Sequence, residues 1–131
     1  MKKRSFKVAP FEKYMHMEIL EIGEGFARVR MPYRDEFTNP AGKIHGGVIA
    51  SLVDTAMAVA VFSLVGPGVR YSTVRLEIKY KAPVRDGEML AEAKINIQKK
   101  RLFKVEAAVK DGDGQVAATA TATFMLTNQG H

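Results

Sequence analysis

Hydrophobic positions recur along the chain in two periods, and the change from one to the other marks its organisation. From Val48 to Val65 almost every residue is apolar, and Asp54 is the only charge. "HGG" precedes this run and "GPG" (66–68) follows it, so the pattern predicts one long helix punctuated by glycine at both ends. Beyond it the pattern alternates, as in strands with one buried face. In "YSTVRLEIKYK" (71–81), Ser72, Val74, Leu76, Ile78 and Tyr80 share one face, while Thr73, Arg75, Glu77, Lys79 and Lys81 share the other. "MLAEAKINI" (89–97) turns Ala91, Ala93, Ile95 and Ile97 inward, and "LFKVEAAVK" (102–110) does the same with Phe103, Val105, Ala107 and Val109. After a "DGDG" hairpin turn, residues 115–126 set Val116, Ala118, Ala120, Ala122, Phe124 and Leu126 on one face. Ahead of the helix, "APFEKYM" (9–15) predicts a short helix and "MEILEIGEGFARVRMP" a hairpin around "GEG". Residues 33–45 form a loop closed by "NPAG". The fold class is α+β: an antiparallel sheet of five to six strands wrapped around one long helix. A helix apolar on nearly all sides needs cover all round, which one sheet supplies only in part, so a second chain is expected against it.

Composition narrows the picture. A length of 131 residues is that of one domain, 1–131, with flexible ends expected at 1–8 and 127–131. The absence of cysteine excludes disulfide scaffolds and thiolate metal sites, and three scattered histidines without a His-x-x-x-His or His-x-His pair argue against zinc. No metal or cofactor is expected. The net charge of +6 favours an anionic partner. Its only clusters are "MKKRSFK" at the start and "QKKR" at 98–101, without interleaved aromatics, so nucleic acid is not expected. Val48–Val65 is long enough to enter a bilayer, but Asp54 at its centre would cost about 3 kcal/mol there. A following strand pattern also requires a covering helix, so no membrane partner is expected. The basic start leads into no apolar signal segment, and a cytoplasmic location is expected.

The chemistry gathers at the helix. Its N-terminus presents unpaired N–H groups and partial positive charge, and the glycines Gly46 and Gly47 let a ligand approach the backbone. "HGG" therefore suits an oxyanion or a polarised carbonyl oxygen; equally, the glycines relieve crowding where loop meets helix. Asp54 follows Gly46 by eight residues, about 12 Å along a helix axis, whereas a catalytic carboxylate works roughly 3 Å from the reacting atom. If both groups act together, two antiparallel helices must share them, each Asp54 beside the partner's glycine end. Otherwise Asp54 is a helix carboxylate bonded to a nearby Ser or Thr. Ser72, on the apolar face of its strand, is expected to point toward the helix and to hold a water or Asp54. His45 and Asn39 lie in the preceding loop, where Asn before Pro is ordinarily a turn residue.

"NPAGKIHGG" (39–47), Asp54 nine residues after His45, Ser72 eighteen after Asp54, and "STVRLEIKYKAPVRDGE" (72–88) together resemble the hotdog-fold acyl-CoA thioesterases of the phenylacetate-degradation (PaaI-like) type. The likeness extends over roughly 15–126. It implies a hotdog fold, dimers with shared active sites, and homotetramers built as dimers of dimers. It also implies roles. The Gly46 N–H, helped by Asn39, polarises the thioester carbonyl. Asp54 of the neighbouring chain activates water or attacks directly, Ser72 orients the water or the carboxylate, and His45 lies near the leaving thiolate. Gly47 and Thr55 would add substrate contacts, and Lys99, Lys100, Arg101, Arg75 and Lys79 are candidates for the phosphates of coenzyme A. Coenzyme A is here part of the substrate. Two other readings stay open: a hydratase or dehydratase in which His45 is the base, and a non-catalytic acyl-CoA- or nucleic-acid-binding module.

Overall fold

The apolar run forms a single helix, α2, spanning Gly46–Val65. In the computed structural model, which describes residues 6–128, one antiparallel sheet of six strands curls around it. The strands are β1 (Glu18–Gly23), β2 (Phe26–Met31), β3 (Arg70–Tyr80), β4 (Met89–Lys99), β5 (Leu102–Lys110) and β6 (Val116–Asn128). Their spatial order is β1-β2-β4-β5-β6-β3, which leaves β3, the strand directly after the helix, as an edge. A short α1 (Pro10–Tyr14) precedes the sheet. Of the ends expected to be flexible, most lie outside the described residues. Phe6 sets its ring edge-on against Phe62 at 5.3 Å, and β6 continues to Asn128.

α2 lies across the inner faces of β2, β4 and β5. Leu52, Val53, Met57 and Val61 pack there with Met31, Met89, Phe103 and Phe124, all fully buried or nearly so. Small inward residues, Ala91, Ala93, Ala107, Ala118, Ala120 and Ala122, let the sheet come close to the helix. By length and hydropathy α2 could cross a membrane, but most of it is enclosed by the sheet. One stripe of it is not: Ser51, Asp54 and Ala58 are half-exposed and Gly47 is exposed, at the i, i+3, i+4 spacing of one helix face. Gly66, at φ 78°, ends the helix and returns its N–H to Phe62 O at 2.8 Å, using the backbone region open to glycine.

Strict alternation fails at several bulges, three of which overturn expected faces by reversing which side the strand presents. In β3, Thr73 pairs with Phe124 and Arg75 with Thr123, so Val74 is an extra residue. Before it Tyr71 and Thr73 face the helix; after it Leu76, Ile78 and Tyr80 do. Ser72, expected inward, therefore sits on the outer face opposite Met125 and is exposed. Val74 is 57% exposed at the bulge itself. In β4 a bulge at Asn96 sends Ile97 outward opposite Lys104, 44% exposed. In β6 an extra Ala117 places Val116 opposite Lys110 and buries Ala117 instead.

Candidate active site

The start of α2 is held by a loop whose polar atoms are almost all engaged. Thr38 bridges Ile44, His45 N–H donates to Phe37 O at 2.8 Å, and Ile44 N–H donates to Val84 O at 2.9 Å. Phe37, Ile44 and Val84 are buried, which anchors the loop to the core. Asn39 organises the turn: its Oδ1 accepts from Ala41 N–H at 2.9 Å and Lys43 N–H at 3.2 Å. The Asn39 amide nitrogen keeps its donors uncommitted among the described residues. His45 is the N-cap, with Nδ1 accepting from Gly47 N–H at 2.8 Å, and its carbonyl accepts from Val48 and Ile49. Of the first four helix N–H groups, only that of Gly46 has no partner among the described residues. That donor lies in an open cleft of about 330 Å³ lined by Asn39, Lys43, Ile44, Gly46, Ile49 and Tyr80, with Lys81, Ala82 and Pro83 at its rim.

The two glycines also answer steric needs. A Cβ on Gly46 would lie 3.3 Å from the Tyr80 ring, and one on Gly47 would lie 3.1 Å from His45 Nδ1. Relief of crowding and access to the backbone coexist at this junction.

Asp54 stands two turns further along the uncovered stripe of α2 and does not line the cleft. Its Oδ1 accepts from the Thr73 hydroxyl at 2.8 Å. Thr73, not Ser72, is thus the hydroxyl beside the carboxylate. Nearby, Tyr71 donates to Ala58 O at 2.8 Å, and burial pushes its phenol well above the ordinary range, with Glu12 adding to the effect. Thr55, expected among the substrate contacts, is only 7% exposed and is enclosed within the protomer.

The expected phosphate-binding cations lie elsewhere than the cleft. Leu102 pairs with Met125 and Tyr71 with Leu126, so the Lys99–Arg101 turn stands at the Asp54 end of the sheet. Eight ladder steps of β3 separate Tyr71 from Tyr80, Val74 being surplus, about 26 Å at strand rise. Arg101 donates to Leu126 O at 2.6 Å. Arg75 faces outward with Glu77 at 3.6 Å. The cations at the cleft are Lys43 and Lys81, which alternation did not single out. Lys79 belongs to a larger concavity of about 590 Å³ on the outer sheet face, with Phe26, Glu77, Lys94, Glu106 and Thr121; no residue of the cleft or of the Asp54 stripe reaches it. Tyr80 and Thr73 were also missed as site residues. A lone polar-tipped aromatic at the inner end of β3 was a signal for the first; the bulge hid the second.

A six-stranded antiparallel sheet curled around one long helix is the hotdog fold, and the family match makes the chain a thioester hydrolase. Residues 41–118 match the thioesterase superfamily, and the chain belongs to that superfamily. It is 36% identical over 114 residues to a protein of Archaeoglobus fulgidus named as a candidate esterase, covering 85% of this chain and 71% of the relative. Among solved structures, a conserved Pseudomonas aeruginosa protein, PA5202, superposes with TM-score 0.88 at 30% identity, over 92% of this chain and 95% of that one. The E. coli PaaI protein from the phenylacetic acid degradation operon shares the fold at TM-score 0.86 and 23% identity, over 93% of this chain and 87% of its own.

Proposed function

We propose that the chain is an acyl-CoA thioesterase for small or medium acyl groups, acting as a homodimer with two composite sites. One observation carries this reading: the uncommitted Gly46 N–H and the Thr73-held Asp54 lie on one helix about 12 Å apart. Neither can serve the other's substrate within a chain. The edge of β3 offers the means of joining two chains. It is eleven residues long and leaves Val74, Leu76 and Tyr80 at 57%, 36% and 55% exposure, the kind of apolar edge that proteins ordinarily cover. Antiparallel pairing of two such edges about a twofold axis at Glu77 keeps inward residues opposite inward ones and, with the surplus Val74 left out of the count, sets Thr73 of one chain across from Tyr80 of the other. That axis falls near the strand's middle, and it brings the partner's Asp54 toward Gly46.

The chemistry then runs in two steps. The thioester carbonyl oxygen accepts from Gly46 N–H and the Asn39 amide, which stabilise the charge developing there. The partner's Asp54 takes a proton from water as the oxygen of that water bonds to the carbonyl carbon, or attacks that carbon itself to give an anhydride that water opens. The C–S bond breaks, and the thiolate leaves and is protonated. Lys43 and Lys81 at the cleft, with the partner's Lys99–Arg101 turn brought to the same end, supply positive charge for the coenzyme A phosphates. A hydratase reading needs His45 as base. With its Nδ1 accepting from Gly47 N–H, a neutral imidazole carries its proton on Nε2, which suits donation rather than proton abstraction.

Thiol release across a panel of acyl-CoAs tests the reading, with Asp54→Asn as control. We expect turnover of at least one thioester and a loss of about 10²- to 10⁴-fold in Asp54→Asn. Background rates on every thioester by a well-folded dimer would exclude the enzyme.

A further inference from the structure

Tyr80 is engaged with the helix start in a way that cleft lining alone does not explain. Its hydroxyl donates to Gly46 O at 2.8 Å, although more than half the residue is exposed. Its ring stands 3.3 Å from where a Cβ on residue 46 would be, closer than a side chain there would ordinarily sit. Gly46 does not adopt a positive φ, so backbone freedom is not the reason for glycine; closeness of the ring is. The preceding carbonyl, His45 O, is already taken by Val48 and Ile49 N–H. Around residue 46, then, one carbonyl is held from within the helix and the next from outside, and the Cα rests on a ring. Only the N–H is left free; it shares its peptide plane with His45 O, held from within the helix, while Tyr80 pins the Cα and the carbonyl on the other side of it.

We propose that Tyr80 is a positioning residue that aims the Gly46 N–H into the cleft, and that Gly46 is glycine because the Tyr80 ring must reach its Cα. This rests on the thioesterase reading for its catalytic consequence but not for its structural one. The same edge strand would thereby support both halves of the site: Thr73 holds the carboxylate and Tyr80 holds the amide.

Steady-state thiol release is compared for wild type, Tyr80→Phe, Gly46→Ala, Tyr80→Ala and the double variant Gly46→Ala/Tyr80→Ala, each checked for wild-type circular dichroism and oligomeric state. Tyr80→Phe keeps the ring and loses one hydrogen bond, so kcat should fall about three- to tenfold with KM unchanged, as for an interaction that acts in the transition state. Gly46→Ala should cost about tenfold beside Tyr80 but under about threefold in the Tyr80→Ala background, where the colliding ring is gone. Equal losses in both backgrounds, wild-type kcat in Tyr80→Phe, or a rise in KM alone would overturn the proposal. The Gly46 amide resonance provides a readout independent of turnover. In Tyr80→Phe it should shift and lose order, and an unchanged resonance also overturns the proposal. Absence of turnover in wild type, with the resonance behaving as expected, would instead sink the hydrolase reading.

Discussion

The two ends of the same helix are built to different standards of completeness. At its start, loop and helix hydrogen bonds and the close rings of His45 and Tyr80 leave one backbone donor over beside the Asn39 amide. At its middle, Asp54 has one hydroxyl partner and faces outward beside an uncovered strand edge. The first region is finished within the protomer; the second is exposed to whatever covers the edge. A buried carboxylate without further partners is costly, whereas a half-exposed one waits at little cost for an amide-rich helix start to meet it. On the proposed reading, the contrast teaches that the protomer carries two halves of a site rather than a site.

The most demanding test of that contrast is to separate the halves onto different chains. Asp54→Asn removes the carboxylate, and Gly46→Pro deletes the free N–H at a first-turn position whose backbone accepts proline, with the Tyr80 ring displaced to make room. Each variant should be inactive alone. Refolded as an equal mixture, they should recover about a quarter of wild-type thiol release, because half the dimers are mixed and each rebuilds one of its two sites. No recovery in properly formed mixed dimers would mean that each site is contained within one chain. A smaller effect distinguishes the hydroxyls. Thr73→Val should lower kcat about tenfold by leaving Asp54 unsupported, while Ser72→Ala should leave stability within about 0.5 kcal/mol and kcat close to wild type. The opposite order would return Ser72 to the site. Least in size is the cap: His45→Ala should lower stability by about 1 kcal/mol, and His45→Asn should regain most of it, as read from denaturant midpoints. If His45→Ala instead abolished turnover as fully as Asp54→Asn in folded protein, the general-base reading of His45 would return.

Much of the fold was legible because the governing signals were long. The apolar run between two glycine clusters and the alternation of four strands specified the helix, the sheet and most of the core. Asn39, Gly46 and Asp54 were also legible, since a loop before a glycine-led helix and a charge inside an apolar one are conspicuous locally. Ser72, Ile97 and Val116 were assigned to the wrong face for one shared reason. Alternation counts residues, and a bulge adds one without any compositional mark; Val74 and Asn96 look like ordinary strand residues. For another reason, the cations at the cleft were not legible. "QKKR" is dense in sequence, whereas Lys43 and Lys81 are far apart along the chain and meet only once β3 returns beside the loop.

Thr73 and Tyr80 are separated by an odd number of positions, so in an unbroken strand one would turn its back on the helix whenever the other faced it. The surplus Val74 corrects this parity. Were Val74 drawn into the ladder as an ordinary strand residue, either Thr73 or Tyr80 would turn outward, and the prop under the acid or the prop under the amide would be lost. The irregularity in β3 is thus what lets a single strand hold the helix at both Asp54 and Gly46.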